Sequence, residues 1–243
     1  MNSKSAQVKS LFNITEKYLG PRQFDIRVRV ETIQQFTSAQ RFGRVLDIGC
    51  GNGAISLPLL PRTDHLTLLD LSPKMLDLAR QQVPAERSGE VALIEGNFLE
   101  ADLEPQSFDL ILCIGVLAHV DSVEAVIAKV ARLAKPGASV LLEFTDSYHF
   151  WGLQVVLYRK LLKLWRPEPY ALNRLKEQQV VEICRQNGLS VSSLYRYGVP
   201  PVGFSKFADQ DQMYRMVRYM FGPSGHNRNS WMGNQFLCRL QMS

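Results

Sequence analysis

No run in this 243-residue sequence stays apolar for the ~20 positions that a membrane-spanning helix needs, so no transmembrane segment is expected. Cysteine is scarce and scattered. Cys50, Cys113, Cys184 and Cys238 form no C-x-x-C pair and no Cys/His cluster, which argues against a disulfide framework or a zinc site. Buried thiols in a reducing compartment are expected instead. The opening segment MNSKSAQVKSLFNITEKYLG has no apolar leader stretch and no small-residue cleavage site, so the expected location is cytoplasmic. Repeats, low-complexity tracts and Pro/Gly/Ser linkers are also missing. No long block of consecutive basic residues exists, which weakens the case for a nucleic-acid-binding tail.

What is present reads as a single globular domain, 46% hydrophobic and 21% charged. The net charge of +5 conceals an uneven distribution. Residues 1–44 carry eight Lys/Arg against three Asp/Glu, residues 45–146 seven against fifteen, and residues 147–243 thirteen against five. Two basic flanks around an acidic middle fit either an anionic partner or ordinary solvated helix faces.

Apolar spacing predicts helices over 5–19 and 24–40, an N-terminal helical cap over residues 1–43. From residue 44 the pattern alternates. Arg44–Ile48, Leu66–Leu69, Val91–Glu95, Phe108–Ile114 and Ser139–Phe144 read as strands. Between them Ala54–Leu60, Pro73–Gln82 and Val123–Ala134 read as helices, the second N-capped by Ser72 with Pro73 at its first position. Lys135-Pro136-Gly137 is a stop signal. Asn173–Asn187 is a further helix, Leu189–Tyr195 a strand, and Asn234–Gln241 alternates as a final strand. Strands alternating with helices imply an α/β fold, a doubly wound and mostly parallel sheet, with residues 44–146 as its core and ligands at the C-terminal strand ends. Residues 147–172 and 198–233 are expected as helical insertions covering the mouth of the site.

The glycines of VLDIGCGNG, at Gly49, Gly51 and Gly53, lie where a strand enters a helix, a place where backbone can approach a ligand closely. The dinucleotide pattern G-x-G-x-x-G would put its third glycine at Ala54, a position that also tolerates alanine. Asp47 argues against a pyrophosphate, which its carboxylate would repel, and suits an ammonium group. Asp70, at the end of the second strand in LLDLS, can accept both hydroxyls of a ribose. In EGNF, Asn97 can hydrogen-bond a base edge while Phe98 packs near the ring, although a plain turn explains Gly96-Asn97 almost as well. Met75 either covers the base or fills core.

These segments resemble the class I S-adenosylmethionine-dependent methyltransferases over residues 40–145, in the family's order: VLDIGCGNG, LLDLS, EGNF, FDLILCIGVLAHV and LAKPGASVLLEF. The resemblance implies a Rossmann-like, seven-stranded sheet with an antiparallel C-terminal strand, and S-adenosylmethionine as cofactor. It implies that Asp47, Gly49, Gly51 and Gly53 surround the methionine part, that Asp70 binds ribose, and that Asn97 and Phe98 meet adenine. Leu71, Met75 and Ile114 complete the expected cofactor-contacting set. Asn97 stands where the family commonly has aspartate.

Transfer from a sulfonium needs alignment and exclusion of water, and a hydroxyl acceptor also loses a proton. His119, five residues past Ile114, is the candidate base or else a structural hydrogen-bonder. His149 and Tyr18 rank behind it. The signatures of base-amino and cytosine-carbon methylation are missing from CIGVLAHV, and no metal site is expected. The expected acceptor is a small, apolar or anionic metabolite methylated on oxygen. Methylation of a small-molecule nitrogen, RNA methylation and a non-catalytic cofactor-binding module are the alternatives. Phe150–Arg166 is amphipathic, with Arg159, Lys163 and Arg166 on one face, and can pack on the core, form a lid or touch a membrane surface. Oligomeric state is not legible.

Overall fold

The structure, a computed structural model, describes residues 4–13, 23–150, 172–198 and 208–243. Tyr18 and residues 151–166 of the amphipathic segment lie outside them. Two helices, α1 (Lys4–Phe12) and α2 (Gln23–Phe36), precede the sheet. The seven strands are β1 (Phe42–Ile48), β2 (Thr63–Asp70), β3 (Val91–Glu95), β4 (Phe108–Cys113), β5 (Ala134–Thr145), β6 (Leu189–Tyr197) and β7 (Gln235–Met242). Their spatial order is β3-β2-β1-β4-β5-β7-β6. All pairings from β3 to β5 are parallel, and β7 runs antiparallel to both its neighbours.

The central strands are apolar on alternate positions of both faces, as a sheet covered on two sides requires. Leu46, Ile48, Ile111, Cys113, Val140 and Leu142 pack toward α4 (Val123–Leu133) and α5 (Glu177–Gln186). Val45, Leu66, Leu68, Leu110, Leu112 and Leu141 form the opposite layer with Ile33 of α2 and with Leu76 and Ala79 of α3 (Pro73–Gln82). A third cluster joins Phe24 and Val28 to Tyr195, Tyr197 and Met213, Val217 and Phe221 of α6 (Gln210–Phe221). Part of the 198–233 insertion is therefore a helix seated on α2 and β6. Its start is fixed by a capping box between Asp209 and Gln212.

The α3 helix spans the expected residues, and Ser72 caps it by accepting from the Met75 N–H. Three elements differ from expectation. Residues 54–60 are turns followed by a 3-10 helix at Leu57–Arg62, because Pro61 lacks the N–H that an α-helix would use and Pro58 fixes its entry. The Lys135-Pro136-Gly137 stop does end α4, yet it lies inside β5 as a bulge, with Gly137 at φ +77° and register shifting between Phe108 and Leu110. The helix expected from Asn173 starts at Glu177. Leu175 instead bridges to Asp146, whose Oδ2 accepts from the Glu177 N–H and caps the helix from another segment. Among the described residues no helix is long and apolar enough to cross a membrane.

Candidate active site

The C-terminal ends of β2, β1 and β4 bring most of the expected residues to one edge of the sheet. Gly51 has φ +55°, a left-handed conformation that suits glycine, and beyond its two chain neighbours no atom of the described residues lies within 4 Å of where its Cβ would stand. Its open face is a place for a ligand to lie against backbone. Asp70 closes the loop from below. Its Oδ2 accepts from the Gly51 N–H and its Oδ1 from the Ser72 N–H, each at 2.8 Å. Burial raises the Asp70 carboxyl above its usual range, against the pull of the Ser72, Gly51 and Leu71 amides.

Asp47 is buried on β1, and its Oδ2 has no hydrogen-bond partner among the described residues. Burial pushes this carboxyl up to about 7; the Ser56 side chain opposes the shift and Asp70 adds to it. A buried carboxylate oxygen left unpaired is costly unless a donor or cation meets it. Met75 and Ile114 are buried beside the loop and Leu71 is half-buried.

Other expected residues are differently engaged. Asn97 Oδ1 accepts from the Leu99 N–H, and its Nδ2 donates to Glu100 and, at 3.5 Å, to Ser5 Oγ. Its side chain thus holds the turn. Phe98 is buried in the core under Lys129, whose ammonium lies 5.1 Å from the ring centroid. His119 is half-buried, follows a turn that its N–H closes onto the Val116 carbonyl, and meets Phe12 edge-on at 5.5 Å. His149 sits apart, past β5, with Nε2 2.8 Å from the Trp231 carbonyl oxygen.

Helix α1 lies across these strand ends. Lys4 donates to the Val120 carbonyl and to Asn173, Lys9 pairs with Glu95, and Asn13, just past the helix, accepts from Ser72 Oγ at 2.6 Å. With Phe12 on His119, the helix reaches β2, β3 and the loop after β4 together. Its apolar spacing gave no sign of this placement, since Val8 is its one buried residue.

A family model described as a methyltransferase domain matches residues 46–142. The "Ubiquinone biosynthesis O-methyltransferase" of Aromatoleum aromaticum is 30% identical over 164 residues, which cover 65% of this chain and 69% of that protein. The chain belongs to the class I S-adenosylmethionine-dependent methyltransferases. The Idiomarina loihiensis relative of the same description is 29% identical over 180 residues, 69% of this chain and 73% of the relative. That of Hahella chejuensis is 37% identical over 99 residues, 40% and 41% of the two chains. The Hahella match thus spans less than two thirds of its relative, whereas the other two span more. Among solved structures, a magnesium protoporphyrin IX methyltransferase from Synechocystis with bound S-adenosylhomocysteine has a TM-score of 0.66 at 19% identity, covering 99% of this chain and 100% of its own. An S-adenosylmethionine-dependent methyltransferase from Thermotoga maritima gives 0.70 at 15%, with 99% and 100% covered. These two establish shared fold alone.

By that family membership, S-adenosylmethionine is the cofactor of this methyltransferase. The unpaired Asp47 oxygen, the open Gly51 face and the Asp70 carboxylate suit an ammonium, a close-lying chain and a diol.

A second buried polar group was not foreseen. Asp25 and Arg29 of α2 meet Glu143 of β5 and Tyr197 of β6. Arg29 Nε donates to Glu143 Oε1 at 2.8 Å, and its Nη2 lies 3.2 Å from Asp25 Oδ2. The Tyr197 hydroxyl lies 2.7 Å from Asp25 Oδ1 and 3.1 Å from Glu143 Oε1. The available signal was Glu143 itself, an acid inside the buried strand SVLLEF.

Proposed function

We propose that this methyltransferase methylates a hydroxyl oxygen of a small apolar or anionic molecule, as one domain whose insertions border the acceptor. The observation that carries the cofactor half is the unpaired Asp47 oxygen beside the glycine loop. Asp47 takes the ammonium group, Gly49, Gly51 and Gly53 let the methionine chain lie against backbone, and Asp70 accepts from the ribose hydroxyls. Leu71, Met75, Asn97, Phe98 and Ile114 line the remainder, Asn97 and Phe98 by shaping the turn. When bound, the cofactor supplies an already activated methyl group. The protein's residues then align the acceptor and keep water out.

Support for oxygen comes from the relatives described as ubiquinone biosynthesis O-methyltransferases and from His119 at the end of β4. Its imidazole takes the hydroxyl proton as the oxygen–carbon bond forms. His149 and Tyr18 rank behind His119 as catalytic candidates, Tyr18 lying outside the described residues. The site works in the cytoplasm.

Labelled methyl transfer to caffeate and to 4-vinylcatechol, which lacks only the carboxylate, tests this reading. Transfer to oxygen is expected, with caffeate preferred; indifference to the carboxylate would remove the anionic preference, and label recovered only on amines would overturn oxygen. His119→Ala should lower turnover by about a hundredfold while leaving S-adenosylhomocysteine affinity intact. Unchanged turnover at saturating acceptor would refute the base.

A further inference from the structure

The Asp25–Arg29–Glu143–Tyr197 group is buried throughout: Glu143 is 1% exposed and Tyr197 fully enclosed. Three segments far apart in the sequence supply it, so the fold holds it rigidly. Every member is hydrogen-bonded to another, yet Glu143 Oε2 has no partner among the described residues. A buried unpaired carboxylate oxygen calls for a reason.

Its direction supplies one. The groups nearest to a Cβ placed on Gly115 are Glu143 Oε2 at 3.7 Å and Arg29 Nη2 at 3.9 Å. Gly115 follows Cys113 and Ile114 at the exposed end of β4 and has φ +73°, so it puts no side chain of its own over this buried oxygen. Along the sheet edge the order runs Asp70 on β2, Asp47 on β1, Gly115 after β4, then Glu143 on β5. Ribose and ammonium take the first two positions. The oxygen therefore lies beyond the methionine end, on the side where an acceptor approaches the methyl group.

We propose that Glu143 is an acceptor-binding residue, its Oε2 receiving a hydrogen bond from the acceptor hydroxyl while Arg29 and Tyr197 hold the carboxylate in place. This rests on the O-methyltransferase reading above. Burial raises the Glu143 carboxyl against the pull of Arg29, and Asp25 adds to the rise, so a second donor at Oε2 is what the ionised form lacks.

The test is calorimetric binding of catechol to protein saturated with S-adenosylhomocysteine, beside steady-state kinetics. Glu143→Gln should weaken catechol binding by about tenfold and raise its KM likewise, with S-adenosylhomocysteine affinity held within about twofold. Tyr195→Phe strips a buried hydroxyl two positions away on β6, one that donates to the Gly222 carbonyl and not to this group, and should keep catechol affinity within about threefold. Equal losses in both variants, a parallel fall in S-adenosylhomocysteine affinity, or no change in Glu143→Gln would each overturn the assignment. So would failure of the wild-type complex to bind catechol. Failure of wild-type protein to methylate any hydroxyl would overturn the reading beneath it, whereas normal transfer with an indifferent Glu143→Gln overturns Glu143 alone.

Discussion

Asp47→Asn is expected to abolish useful cofactor binding while making the free protein more stable. In the wild type a buried carboxylate oxygen without a partner waits beside the glycine loop. With the carboxyl pushed up to about 7, folding favours its protonated form. An unfolded aspartate ionises near 4, so the folded state binds more protons between about pH 4 and 7. Stability from this group is therefore full below the lower value and lost as pH rises through the upper one. The loss is on the order of 4 kcal/mol for a shift of this size. Asparagine removes that dependence, and its melting temperature at about pH 8 should exceed wild type by several degrees. Bound cofactor reverses the balance, since an ammonium beside Asp47 favours the carboxylate. Wild-type affinity for S-adenosylhomocysteine should thus strengthen by up to about tenfold per unit from pH 5.5 toward 7. The variant should lose about a hundredfold or more of affinity and show a flat profile. Tight, pH-responsive binding by Asp47→Asn would place the ammonium elsewhere.

Asp70→Ala is expected to damage both the fold and the site, unlike Asp47→Asn. Its two oxygens accept the Gly51 and Ser72 amides, so alanine leaves two N–H groups unpaired, one in the glycine loop and one at the entry to α3. Each buried orphan costs about 1–3 kcal/mol, and denaturant midpoints should fall accordingly. Loss of the acceptors for a ribose diol should also reduce S-adenosylhomocysteine affinity by about a hundredfold. Asp70→Asn keeps one acceptor and should fall between. Binding by Asp70→Ala close to wild type, once allowance is made for the unfolded fraction, would remove the ribose from this carboxylate.

The parts of this molecule legible from sequence are those with local causes. Ser72-Pro73 marks the start of α3 because capping and proline geometry act within a few residues. The alternation of strands with helices set the sheet, and β7 showed its two-residue period. The failures have tertiary causes. Asn173 to Lys176 have helical spacing, but Asn173 donates its amide to the Leu117 and Val120 carbonyls and Leu175 pairs with Asp146. Apolar periodicity over 54–60 outweighed the two prolines that decide the local backbone. At the site, glycines and acids next to strand ends were readable, since topology brings such ends to one edge. The engagement of Asn97 in its own turn and the burial of Phe98 were not, because they depend on Glu100, Leu99 and Lys129 in three dimensions. The Arg29–Glu143 pair spans 114 positions, and no local pattern links its members.

The placement of β7 bears on how the chain can be made. It is the last of the seven strands in sequence, yet it lies between β5 and β6. During synthesis β6 leaves the ribosome with no sheet edge to join, because the strand that connects it to β5 has not yet been translated. Tyr197 therefore cannot be carried to Asp25 and Glu143 by the completed sheet until residues 235–242 have emerged, although the β1 to β5 portion can already pair. Nascent chains arrested before that point should retain a protease-sensitive segment over 189–197 and gain protection when β7 is added in trans.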